Sequence, residues 1–179
     1  MRIPLLSIAL WCAISLSCHA TGPGNDEGPA SSRPNIILFL VDDLGWQDVS
    51  VPLADEETPF NRRYRTPNVE KLAQGGVTFT NAYAAAPVCT PTRTSIMTGR
   101  DPARTHITYW TLNKDKDTSA PHDSLLPPAW EVNGMAADQV TLPRQLAQAG
   151  YHTIHVGKAH FGAHGTAAAD PLAIGFDVN

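Results

Sequence analysis

Residues 35–41 read Asn-Ile-Ile-Leu-Phe-Leu-Val, an apolar run with no alternation of polar and apolar positions. A strand with one wet face alternates, because successive side chains point to opposite sides; a strand covered on both faces has no reason to. The run is therefore expected to be a buried strand of a parallel sheet, which requires helices on either face. The rest of the chain supplies the punctuation for them. Thr66-Pro67 opens a short helix through Ala73 that stops at Gly75-Gly76, and Thr141-Leu142-Pro143 opens another through Ala147 with Gly150 as its stop. Residues 77–81 alternate like a strand, and residues 151–157 follow the second helix as another. Helices alternating with strands predict an α/β layer architecture with a largely parallel sheet. No whole unit repeats.

The apolar run ends in Asp42-Asp43-Leu44-Gly45. Ligands of open α/β sheets gather at the carboxyl ends of strands, so adjacent carboxylates there are candidate ligands of a hard divalent cation. A helix cap or a solvated turn would use the same residues.

A second candidate lies at Cys89-Thr90-Pro91-Thr92-Arg93, which runs on to Gly99-Arg100. Thr90 suits an N-cap, Pro91 the first helical position and Gly99 the stop. Cys89 is then expected just outside a helix N-terminus, where unpaired N–H groups and the helix dipole favour a developing anion, with Arg93 one turn into the helix. A structural cysteine near a helix cap is the alternative.

The third candidate is Gly157-Lys158-Ala159-His160. If the backbone stays extended, Lys158 and His160 project to one side and Ala159 to the other. An ammonium beside an imidazole suits an anionic oxygen. His152 and His155 fall on opposite faces of their strand and do not converge, which argues against a histidine-rich zinc site.

Charge and cysteine usage narrow the function classes. The formal net charge is −4 over 179 residues, with no basic stripe, which argues against a nucleic-acid partner. Arg2, an apolar run over residues 3–16 and small residues thereafter read as an export leader cleaved after Ala20, too short and wrongly flanked to span a membrane. Lipidation of Cys18 is the competing outcome, although Ser15 stands where such sites prefer an apolar residue. Either way the chain is expected outside the cytoplasm, periplasmic or secreted. Residues 21–34, rich in Gly, Pro, Ser and acid, form a disordered spacer, and residues 35–179 the folded part. Of three cysteines, Cys12 and Cys18 belong to the leader region, so a disulfide framework is excluded and attention falls on Cys89. Between Asp101 and Val140 the pattern dissolves into Pro, Asp, Lys and Ser, with Tyr109, Trp110 and Trp130 inside. Such a long loop either lines a substrate pocket, its aromatics stacking on a sugar, or is a surface insertion.

The string Cys-x-Pro-x-Arg followed by Thr-Gly-Arg resembles the signature of the type I sulfatases. The 35–45 segment likewise resembles the first strand of sulfatases and other alkaline-phosphatase-like enzymes, and Gly-Lys-x-His resembles a further sulfatase motif. The resemblance covers roughly residues 33–179. It implies an alkaline-phosphatase-like α/β fold. It also implies that a maturase oxidises Cys89 to formylglycine, whose hydrate attacks sulfur, and that Asp42, Asp43 and the residue at position 89 hold a calcium ion. Arg93 and Lys158 would bind sulfate, and His160 would assist collapse of the enzyme sulfate ester. The substrate class so implied is a sulfate monoester, with export and loop aromatics leaning towards a sulfated polysaccharide or glycosaminoglycan. A phosphodiesterase or phosphonate monoester hydrolase of the same superfamily is the second reading. The remaining metal ligands (an Asp-Asn pair) and a later His and Lys are expected beyond residue 179, so this stretch is expected to be an N-terminal part and inactive by itself.

Overall fold

The computed structural model describes residues 33–110, 112–119, 124–126 and 128–179; the leader and most of the spacer lie outside the described residues. The chain divides into two compact units, Met1–Leu40 and Val41–Asn179. In the first, residues 33–40 are extended and solvent-exposed, with Ile37 and Phe39 more than four-fifths accessible. The expected burial on both faces is not seen there, because nothing among the described residues forms a β-ladder with this run. A parallel strand is apolar on both faces only because other strands and helices cover it.

The second unit carries four helices among the described residues: α1 (Pro67–Gly75), α2 (Cys89–Thr98), α3 (Pro102–Thr105) and α4 (Leu142–Gln148), with single 3-10 turns at Asn61–Arg63 and Ala167–Ala169. α1 and α4 start where the Thr-Pro and Thr-Leu-Pro punctuation places them, with Thr66 and Thr141 at their N-caps. α2 begins two residues early. Val88 is the extended cap residue, so Cys89 is the first helical residue instead of the residue outside it, and Thr90 and Pro91 lie within the first turn. Pro91 costs nothing there, since the first four N–H groups of a helix have no intrahelical acceptor. Gly99 stops α2 as expected: it adopts φ 64° and donates its N–H to the Ser95 carbonyl. α3 is a single turn inside the segment read as a loop, capped by Asp101, whose carboxylate accepts the Arg104 N–H at 3.0 Å.

Residues 77–81 do not form a strand, and extended pairing among the described residues is confined to isolated bridges. Two matter for the site. Gly134 bridges Gly162 antiparallel, supported by the Met135 N–H to Phe161 carbonyl bond at 3.0 Å. Ile154 bridges Val178 in the parallel sense, with the His155 N–H donating to the Val178 carbonyl at 2.8 Å. The second bridge is the one fragment of the expected parallel pairing among the described residues.

The core gathers Met97 of α2 with Ile107, Met135, Phe161, Ala168 and Ile174, and Ile96, Ala159 and Phe176 pack against it. Each fully buried aliphatic or aromatic side chain contributes about 1.5–3 kcal/mol. Polar anchors set the α4 end: the buried Thr141 hydroxyl donates to the Ile174 carbonyl at 2.7 Å, and Arg144 reaches the Gln139 and Ala173 carbonyls at 2.7 and 2.8 Å. At the other end the buried Asn61 amide clamps the 49–58 loop, donating to the Val49 carbonyl and accepting from the Thr58 N–H, both at 2.9 Å.

Candidate active site

The first turn of α2 is held rigidly from below. Thr90, Pro91, Arg93 and Thr94 are buried, and the Thr94 hydroxyl returns a 2.9 Å hydrogen bond to the Thr90 carbonyl. Cys89, at the open end of this turn, is partly exposed and carries a free thiol. The segment arriving from residue 41 turns sharply at Asp43, which takes φ 58°, a left-handed conformation that Asp tolerates better than most residues. This turn brings Asp42 and Asp43 to α2, and their carboxylate oxygens and the Cys89 sulfur lie within 4.8 Å of one another.

Asp42 is the hub. One oxygen receives the Arg93 guanidinium at 2.7 Å and the other the Lys158 ammonium at 2.5 Å. Lys158 also lies 3.2 Å from the Cys89 sulfur. The Arg93 guanidinium donates in addition to the Lys158 carbonyl, so one buried side chain ties all three segments together. The hydrogen bonds from Lys158 and Arg93 hold the Asp42 carboxyl down at about 2, against an ordinary value of 3.8. The same contact raises Lys158 above its usual range, so it is an ammonium donor and not a base at neutral pH.

His160 stands beside this cluster. Burial first, then the positive charges of Lys158 and Arg93, push its pKa below the ordinary imidazole value, while a hydrogen bond to the Trp110 backbone opposes them. The ring is thus neutral at pH 7, with a buried Nδ1 that has no hydrogen-bond partner. The sidedness expected of Lys158-Ala159-His160 holds, since Ala159 packs on the core while its neighbours serve the cluster. Regular extended backbone does not produce it: Gly157 has φ 97° and His160 φ 51°.

The structure thus brings Asp42, Asp43, Cys89, Arg93, Lys158 and His160 together. His152 and His155 stay apart from them, the first near Asp177 at 3.4 Å and the second paired with Asn179 at 2.8 Å. The metal-ligating group found among the described residues, Asp42, Asp43 and Cys89, contains no histidine. Sequence reasoning passed over Thr90, read only as a cap. It is fully buried, and its hydroxyl reaches the Trp110 carbonyl at 3.5 Å, joining the aromatic loop to the helix that carries Cys89. Nothing local marks a threonine for that duty.

Two carboxylates are hard donors of the kind calcium takes, and a thiol is not. The donor set therefore suits calcium when the third donor is an oxygen, as a hydrated formylglycine at position 89 would provide.

Comparisons with known proteins place the chain in a family. The sulfatase family model matches residues 34–178. The chain is 35% identical to human steryl-sulfatase over 182 residues, covering 99% of this chain and 26% of that protein. It is 35% identical to rat arylsulfatase G, covering 81% of this chain and 23% of the relative. It is 34% identical to human N-acetylgalactosamine-6-sulfatase, covering 86% and 26%. The chain spans about a quarter of the length of these curated relatives. With its signature residues gathered at one locus and the family match running almost from end to end of the described region, the chain belongs to the sulfatase family.

Proposed function

We propose that this chain carries the nucleophile end of a sulfuric ester hydrolase acting on sulfate monoesters of an extracytoplasmic polysaccharide or glycosaminoglycan. The observation that carries the reading is the meeting of Cys89, Arg93 and Lys158 on Asp42, groups up to 116 residues apart in sequence. In this reading formylglycine at position 89 would supply a hydrated aldehyde as nucleophile, and Asp42 and Asp43 would hold a calcium ion that supplies positive charge when bound.

The remaining work falls to side chains already in place. Sulfate ester cleavage concentrates negative charge on the sulfuryl oxygens. In this reading Arg93, locked by Asp42 and the Lys158 carbonyl, and Lys158, within hydrogen-bond reach of position 89, offset that charge. Removing one such preorganised donor costs roughly 10²–10³ in rate. His160, kept neutral, is able to accept a proton released at position 89. The proposed fold of the complete domain is alkaline-phosphatase-like, and export rests on the leader read in residues 1–20.

The test uses the full-length protein produced with and without a formylglycine-generating maturase. Mass spectrometry should find the aldehyde at position 89 and 4-nitrophenyl sulfate should be hydrolysed only by the matured form. An intact thiol in an active preparation would overturn the mechanism. Faster turnover of bis(4-nitrophenyl) phosphate than of any sulfate ester would favour a phosphodiesterase instead.

A further inference from the structure

Tyr109, Trp110 and Trp130 form a group of aromatic rings partly open to solvent. Tyr109 stands edge-on to Trp130 with centroids 5.9 Å apart, and Trp110 tilts against Tyr109 at 6.4 Å. Trp110 is 47% accessible, an unusual exposure for the largest apolar side chain. The group is not a loose surface cluster. The Trp110 carbonyl is tied to the active-site helix by the Thr90 hydroxyl at 3.5 Å. Trp130 is oriented from its far end, its indole N–H donating to Asp117 at 3.0 Å, and Asp117 also accepts the Ser119 N–H at 2.8 Å. Rings fixed in direction yet left accessible keep their faces for a ligand, since burying them in the core would have been the more stabilising use.

The geometry points to Tyr109, Trp110 and Trp130 as the specificity-determining wall for the alcohol half of the substrate, one that stacks on the C–H face of a pyranose bearing the sulfate. This rests on the sulfate-ester reading of the adjacent cluster. A wall bonded through Trp110 to the residue next to Cys89 stands where the group beyond the scissile ester oxygen must lie. The choice of a sugar over a wholly apolar ring system follows from the rim. Asp117 is exposed, and its hydrogen bonds to Ser119 and Trp130 hold it ionised, so it offers an acceptor for hydroxyl groups and is a poor neighbour for a hydrocarbon.

The test is calorimetric binding to the full-length protein carrying Cys89→Ala, which has no heteroatom on Cβ to become an aldehyde, with galactose 6-sulfate and ethyl sulfate as probes. Trp110→Ala and Trp130→Ala should each weaken galactose 6-sulfate roughly 2- to 12-fold, the worth of one aromatic contact, and leave ethyl sulfate unchanged. Trp110→Phe, which keeps a ring at lower risk to folding, should retain most of the preference for the sugar. Equal losses for both probes, no loss for either, or no binding at all would overturn the wall. Failure of the catalytic reading is seen separately: the wild-type chain produced with the maturase would hydrolyse neither ester while the binding preference persisted.

Discussion

At the residue scale the site is an electrostatic arrangement built around one carboxylate. Arg93 is buried and its Nε has no partner, so its charge is balanced chiefly through Asp42. Asp42→Asn should therefore destabilise the full-length protein and weaken calcium binding together. The pH dependence has a definite sign. A carboxyl lowered from 3.8 to about 2 contributes stability that is complete above its unfolded value and is lost as pH falls through the folded one. The melting-temperature gap between wild type and Asp42→Asn should stay constant from pH 8 to about 5 and close progressively below pH 3.8. A gap that closes already between pH 6 and 5 would refute the ion-pair account. His160 behaves differently. Its lowered pKa means that the folded protein resists protonation, so stability falls as pH drops below 6.5 and levels off once the folded group titrates. Melts of His160→Gln should lack that component.

At the element scale, α2 matters because it presents Cys89 while its buried face meets the core through Met97. Two glycines near the site test different physics. A Cβ at Gly99 would meet nothing within 4 Å, so Gly99→Ala should cost only the left-handed backbone penalty, about 1–2 kcal/mol. A Cβ at Gly162 would lie 2.4 Å from the Ala168 Cβ and 2.6 Å from the Asn133 carbonyl oxygen. Gly162→Ala must force apart the bridge that follows His160, and should cost more than Gly99→Ala and also lower kcat. Denaturant titration of both variants, with activity measured alongside, checks the ordering. The helix starts at Thr66 and Thr141 and the Gly99 stop were legible in sequence because caps and stops are local chemistry. The start of α2 was displaced by two residues because Val88 is already extended and closes the turn without a side-chain cap.

At the scale of the whole molecule, the apolar surface is the telling quantity. Beyond the 35–41 run, Leu72, Val77, Phe79, Leu126 and Val156 are each at least two-thirds exposed, and helices and bridges among the described residues do not cover them. Expressed as these 179 residues alone, the chain should bind a hydrophobic dye strongly and hydrolyse no sulfate ester, whereas the full-length protein should bind little dye. Measurable turnover by the shorter chain would contradict this. The sequence alone determined what depends on neighbours in the chain: the helix punctuation, the acidic turn after an apolar run, and the residue types required by the sulfatase signature. Only the tertiary structure decided that Asp42 is shared between Arg93 and Lys158, that burial lowers the pKa of His160, and that Thr90 bonds the aromatic loop to the helix carrying Cys89. Those facts depend on contacts across 20 to 116 residues and on burial, and local pattern carries no record of either.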